Sequence, residues 1–316
     1  MSKFSKITII SGFGLIVISL IFASFNLSKL INPFIKSDPG EYTEYTKYVS
    51  NINDLNSLVI NSTDEKITIK STDSSEITIT YYESERTKYD FRETSESVSL
   101  KKVVDKIQFF DFNINLFMPS ITVFIPKELV IGYDIKSSNA KIVFSNLNIK
   151  ESVIETSNSR IDLIDINSLE KLRLITSNGG INLEKVSARG IEMRTTNAGI
   201  TISESIFNSI NGKTSNGKIV LSDTIIKDSI LLKTTNSGVK FNDLIAKSID
   251  IETSNGKIEG SLNANSKEYK KDFKTSNGNI WIDNMKYAEY FKDSEETNKL
   301  IKLKTSNSSI KINFSK

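Results

Sequence analysis

From residue 137 to the C-terminus, apolar and polar residues alternate one by one in short runs. Ile249 and Ile251 lead to Thr253, and Ile258 resumes the pattern after a polar break; Leu232 and Thr234 are followed in the same way by Val239 and Phe241. Successive side chains of a strand point to opposite faces, so this alternation predicts short strands with one buried face. The polar break is itself repeated. It reads SSNAKI from Ser137, TSNSRI from Thr156, TSNGGI from Thr176, TTNAGI from Thr195, TSNGKI from Thr214, TTNSGV from Thr234, TSNGKI from Thr253, TSNGNI from Thr275 and TSNSSI from Thr305. Its asparagines are Asn139, Asn158, Asn178, Asn197, Asn216, Asn236, Asn255, Asn277 and Asn307, so successive positions differ by 19, 20, 19, 19, 20, 19, 22 and 30 in the numbering. A near-constant period of roughly 20 residues marks stacked units, each too small to bury its own apolar face. The last two intervals carry insertions.

Asparagine followed by Gly, Ser or Ala accepts left-handed backbone angles, so a sharp change of direction is expected at each asparagine. Asn-Gly between alternating strands also suits a hairpin. Recurrence separates the two readings, because a meander tolerates a different turn each time whereas a solenoid sets the same corner above itself once per coil. Residues 133–316 are therefore expected to form a β-solenoid of 19–20-residue coils, about nine of them over roughly 40 Å. Its Asn and Thr columns are expected to hydrogen-bond up the stack.

Upstream, STDEKITI (Ser62–Ile69) and STDSSEITI (Ser71–Ile79) carry the same signature in degraded form. Residues 53–132 are expected to form the first strands and a cap. Within them, YYESERTKYDFRE and the aromatic cluster Phe109, Phe110, Phe112 and Phe117 depart from the alternation, which returns in ITVFIPKEL (Ile121–Leu129). The cluster reads first as a cap near the N-terminal end, second as a partner surface. Between Lys6 and Lys29 the chain carries no charge. A helix over that whole stretch spans about 33 Å, enough for a bilayer core. The expectation is a cytoplasmic tail (1–6), a transmembrane helix (7–28) contacting the lipid bilayer, and a stalk (29–52) containing Pro33, Pro39 and Gly40. A cleaved signal peptide is the rival, but Ile21 and Phe22 precede Ala23 and Ser24 where small residues are needed.

Composition narrows the chemistry. The 41 basic and 38 acidic residues leave a net charge of +3, too little to argue for nucleic acid. With no cysteine and no histidine, thiol nucleophiles, serine–histidine triads and the usual zinc sites are excluded, and no cofactor or metal is expected.

With the STD start, the IPKEL segment and the TSNG corner, the chain resembles the bacterial putative-adhesin family, whose domain of unknown function is built of β-strand repeats. The resemblance runs from about Asn53 to Lys316. It implies a right-handed β-solenoid or roll, in which membrane-anchored members occur and some are tied to envelope stress. It carries over no catalytic motif.

Three sets of residues are candidate sites. The asparagine column presents a regular polar face to glycans, or serves the turns themselves. Asp162, Asp165, Asp223, Asp243 and Asp283 invite a calcium or acid/base reading, but they lack the glycine-rich calcium nonapeptide and read as solvated strand edges. The late insertions bring Trp281, Tyr287, Tyr290 and Phe291, which read as a cap over the open end and as a partner surface. The expected whole is a non-catalytic, membrane-anchored, extracytoplasmic adhesin or scaffold for an envelope polymer, a glycan or a protein. The alternatives are a regulatory partner of an envelope-stress sensor and a carbohydrate-active solenoid enzyme.

Overall fold

The computed structural model describes residues 42–85, 87–104, 118–293 and 295–315. The expected tail, transmembrane helix and most of the stalk lie outside the described residues, as does the aromatic cluster at Phe109, Phe110, Phe112 and Phe117. Among the described residues no helix is long and apolar enough to cross a membrane.

The fold is all-β. Among the described residues twenty-three strands form one continuous hydrogen-bonded sheet that coils upon itself, interrupted by a single 3-10 turn at Ser266–Glu268. Successive coils pair in parallel at the spacing of the repeat. Ile142, Ile161, Ile181, Ile200, Ile219, Val239 and Ile258 occupy equivalent places, followed two residues later by Phe144, Leu163, Leu183, Ile202, Leu221 and Phe241. All of these side chains are buried. A column of isoleucine and leucine inside a parallel stack is what period-2 alternation produces once every strand turns the same face inward.

The stacking order departs from the chain order at both ends. Beyond Ile258 the next neighbour is Ile310, and only then Ile280. The final repeat, Leu300–Lys304 and Ile310–Phe314, is therefore inserted between the coil of Asn255 and the coil of Asn277. At the other end the coil of Ile67 lies between that of Ile142 and that of Ile121. The outermost coil at each end thus comes from an internal segment, and antiparallel strands cover its edge. Lys270–Lys274 and Ile280–Ile282 are covered by Tyr290–Lys292 and Met285–Tyr287. Ser97–Val104 and Ser120–Pro126 are covered by Thr87–Glu93 and Ile77–Glu83. An open parallel edge would pair with any passing strand, and these hairpins remove it.

Two sequence expectations are corrected here. Thr43–Val49, assigned to the stalk, is a strand paired antiparallel to Ile77–Glu83. Its spacing of apolar residues is irregular because only Val49 reaches the core, while Tyr45 stacks on Tyr81 at 5.7 Å. The left-handed corner also lies elsewhere. Positive φ occurs at Asn146, Asp165, Lys185, Glu204, Asp223 and Asp243, with values between 47° and 57°, and at none of the repeat asparagines. These positions fall seven residues beyond each asparagine, at the opposite corner of the coil. Asp and Asn tolerate this region best among residues with a Cβ.

Candidate functional site

At the TSNG corner, threonine turns inward and asparagine outward. The column Thr156, Thr176, Thr195, Thr214, Thr234, Thr253, Thr275 and Thr305 is buried. Each hydroxyl donates to a backbone carbonyl of the neighbouring coil: Thr195 to Gly179 O at 2.9 Å, Thr214 to Ala198 O at 2.9 Å, Thr305 to Gly256 O at 2.9 Å and Thr275 to Ser308 O at 2.7 Å. A hydroxyl can do this inside an apolar core because its hydrogen bond is complete.

Outside, the asparagines form one ladder. Asn158 Nδ2 donates to Asn139 Oδ1 at 2.6 Å, and the same bond recurs through Asn178, Asn197, Asn216, Asn236 and Asn255 at 2.6 to 2.9 Å. It continues from Asn307 to Asn255 at 2.7 Å and from Asn277 to Asn307 at 2.8 Å, following the order of the stack. At the far end Asn139 donates to Asp64 Oδ1 at 2.6 Å. Each carboxamide from Asn139 to Asn307 spends one N–H and one lone pair on the ladder, and Asn277 at its end spends one N–H, leaving a second N–H facing solvent on every coil.

Near each end of the stack lies a buried ion pair. Ser62–Glu65 occupies the place of Thr-Ser-Asn-Gly, with Glu65 where the glycine would be, and Lys102 from the next coil reaches over it. Lys102 Nζ donates to Glu65 Oε1 and to Thr63 Oγ1, both at 2.6 Å, while Ser62 Oγ donates to the other carboxylate oxygen. Burial by itself raises the Glu65 pKa, but the hydrogen bonds from Lys102 and Ser62 and the lysine charge outweigh it and hold the carboxyl at about 2. Burial, reinforced by the Glu65 charge, pushes the neighbouring Tyr89 hydroxyl up. At the opposite end Lys271 takes the inward place filled by Ile301 one coil earlier. Its Nζ donates to Asp293 Oδ2 at 2.6 Å and to Tyr269 O at 2.9 Å. Both lysines lie on the outermost parallel coils, beneath the antiparallel strands that close the edges.

The chain matches the family model of Toastrack DUF4097 over residues 55–316. It belongs to this family. No curated protein matches this Toastrack chain. It is similar to the solved structures of a putative adhesin from Parabacteroides distasonis (13% identity, 88% of this chain and 99% of that one, TM-score 0.46) and of another from Bacteroides fragilis (12% identity, 88% and 100%, TM-score 0.45). It is also similar to a putative cell adhesion protein from Clostridium sporogenes, at 12% identity over 87% and 100% of the chains and a TM-score of 0.30.

Within this Toastrack coil the five candidate carboxylates do not converge. Asp165, Asp223 and Asp243 stand at left-handed corners, and Asp283 lies with Asn284 in the hairpin turn between Ile280–Ile282 and Met285–Tyr287. Asp162 is buried between Lys141 Nζ at 2.7 Å and Arg160 Nε at 2.9 Å. The four aromatics of the insertions divide. Tyr287 and Phe291 meet edge to face at 4.7 Å, and Phe291 lies 6.2 Å from the buried Phe273, so this pair covers the last coil. Trp281 points outward beneath Lys286, whose Nζ is 6.0 Å from the ring centroid, and Tyr290 is exposed.

The sequence reading missed one feature of the corner. In stack order, from Asn158 on, the residue after each asparagine alternates: Ser159, Gly179, Ala198, Gly217, Ser237, Gly256, Ser308, Gly278. A Cβ at the four glycines would lie 1.6, 1.7, 1.8 and 2.0 Å from the carbonyl oxygens of Ser159, Ala198, Ser237 and Ser308. Every second coil thus needs glycine for close approach rather than for positive φ. Read along the chain, the alternation fails at Gly256, Gly278 and Ser308; read along the stack, it holds. Two glycine units in succession were the available signal that the last repeat is inserted between them.

Proposed function

We propose that this Toastrack protein is a non-catalytic, adhesin-type scaffold, held at the membrane through residues 7–28 with the coil outside, and that it binds a linear envelope polymer or glycan. The observation that supports this reading is the unbroken ladder from Asp64 to Asn277. It offers one solvent-facing amide donor per coil, at intervals of about 4.8 Å, on a rigid and end-capped body. A regular row of donors suits a ligand that is itself periodic, and rigidity keeps the ordering cost of binding low.

Protease shaving of intact cells, with immunoblots against both ends, tests the placement. Loss of the C-terminal coil with survival of a small membrane fragment is expected. Full protection in cells whose wall admits the protease sinks the reading. Co-sedimentation of the full chain with purified cell-wall polymer tests the binding, which replacement of Asn197, Asn216 and Asn236 by alanine is expected to weaken several-fold.

A further inference from the structure

Between the left-handed corner and the next bend, three successive coils expose the same pattern of outward side chains. These are Glu204, Ile206 and Asn208, then Asp223, Ile225 and Lys227, then Asp243, Ile245 and Lys247. Ile206 pairs with Ile225 and Ile225 with Ile245, so the isoleucines form a single column, exposed by 43%, 40% and 39%. In earlier coils the equivalent places hold Asn148, Asn167 and Ser187, so the apolar column is confined to these three. An acidic column at the left-handed corner flanks it on one side and, over two coils, a basic column flanks it on the other, the latter about 7 Å away at two residues along a strand. Asp223, Asp243, Lys227 and Lys247 form no ion pair among the described residues.

We propose that this strip is the seam of a homodimer in which two rods lie side by side and parallel, related by a two-fold axis along the rod. Such an axis exchanges left and right but leaves each coil at its own level. Each isoleucine then meets its own counterpart, while Asp223 faces Lys227 of the second copy and Asp243 faces Lys247 of the second copy, each pair occurring twice. The antiparallel two-fold arrangement sets carboxylates on carboxylates and lysines on lysines. The acid, apolar, basic order across the strip therefore selects a second copy of this chain and fixes its direction. Three partly covered isoleucines per rod make a seam well below the roughly 1,600 Å² of a standard interface, so pairing is weak free in solution. Confinement of both chains to one membrane raises their effective concentration. That last step rests on the proposed anchor; the charge order does not.

The chain has no cysteine, so a single introduced thiol is a unique reporter. Ile206→Cys, Ile225→Cys and Ile245→Cys are made separately in the full chain and oxidised with copper phenanthroline, both in membranes of expressing cells and as purified full chain at high concentration. Thr201→Cys, on the adjacent face, serves as control. The parallel seam requires all three variants to form disulfide-linked dimers several-fold above the control. Asp223→Lys added to Ile225→Cys is expected to lower the yield, and Lys227→Asp added to both to restore it. Linkage at Ile225→Cys alone, with linkage between Ile206→Cys and Ile245→Cys when those two variants are co-expressed, shows an antiparallel seam and overturns the proposal. Yields equal to the control in both preparations overturn it as well. Cell fractionation reads separately whether the chain is anchored at all.

Discussion

Replacing Gly217 with alanine puts a methyl group where the neighbouring coil already has backbone. A Cβ there stands 1.7 Å from Ala198 O, 2.1 Å from Ala198 C and 2.6 Å from Gly199 N. None of these is the end of a side chain that can rotate away, so the two coils must part. Parting them strains the bond from Thr214 Oγ1 to Ala198 O at 2.9 Å, that from Asn216 N to Thr196 O at 2.9 Å and the ladder bond from Asn216 to Asn197 at 2.8 Å. Overpacking costs about 1–3 kcal/mol, and one or two weakened hydrogen bonds add about 1 kcal/mol each. The expected loss is about 2–5 kcal/mol. The reverse change one coil away, Ala198→Gly, meets no such obstacle and costs only about 0.5–1 kcal/mol in backbone entropy. Chemical unfolding followed by circular dichroism gives both values. Amide exchange across residues 196–217 shows whether the damage stays within neighbouring coils, as a quasi-one-dimensional stack requires. A Gly217→Ala chain no less stable than Ala198→Gly would refute the reasoning, since the two corners differ only in which coil carries the close approach.

Two further predictions concern the ends. The Glu65 carboxyl is held at about 2 in the fold against an ordinary 4.5, so its stabilisation is complete above about pH 5 and is lost as pH falls from 4.5 toward 2. That difference corresponds to about 3 kcal/mol, and Glu65→Gln is expected to flatten the stability profile across that window in acid titrations of unfolding. Lys271→Met removes the cation from Asp293 and is expected to destabilise the C-terminal cap by about 3 kcal/mol. Adding Asp293→Asn should recover much of the loss in the same unfolding assay, and an equal loss in the double variant would show that packing of the lysine stem, not the ion pair, is what matters.

Much of the coil was legible because its signals are local. Alternation fixes which residues turn inward, and the recurrence of Thr-Ser-Asn fixes the period, so Thr195 and Asn197 belong to inner and outer columns before any coordinates are known. Asn-Gly is ambiguous as a marker of the left-handed corner, because its glycine here serves close approach. The Asp and Asn residues at 146, 165, 223 and 243 carried the right signal, with Lys185 and Glu204 obscuring it.

By itself, then, the sequence determined that the chain is β-structured, that it stacks in coils whose length follows the Thr-Ser-Asn period, and that its asparagines and threonines stand in columns. Only the tertiary structure decided the order of the coils at the ends, the burial of Lys102 with Glu65 and of Lys271 with Asp293, and the alignment of Ile206, Ile225 and Ile245 between charged columns. The reason is physical. A coil's own residues dictate its shape, but any coil of that shape stacks in register on any other, so which coil lies beside which is settled by the insertions, the caps and the fit of glycine against a neighbour's carbonyl.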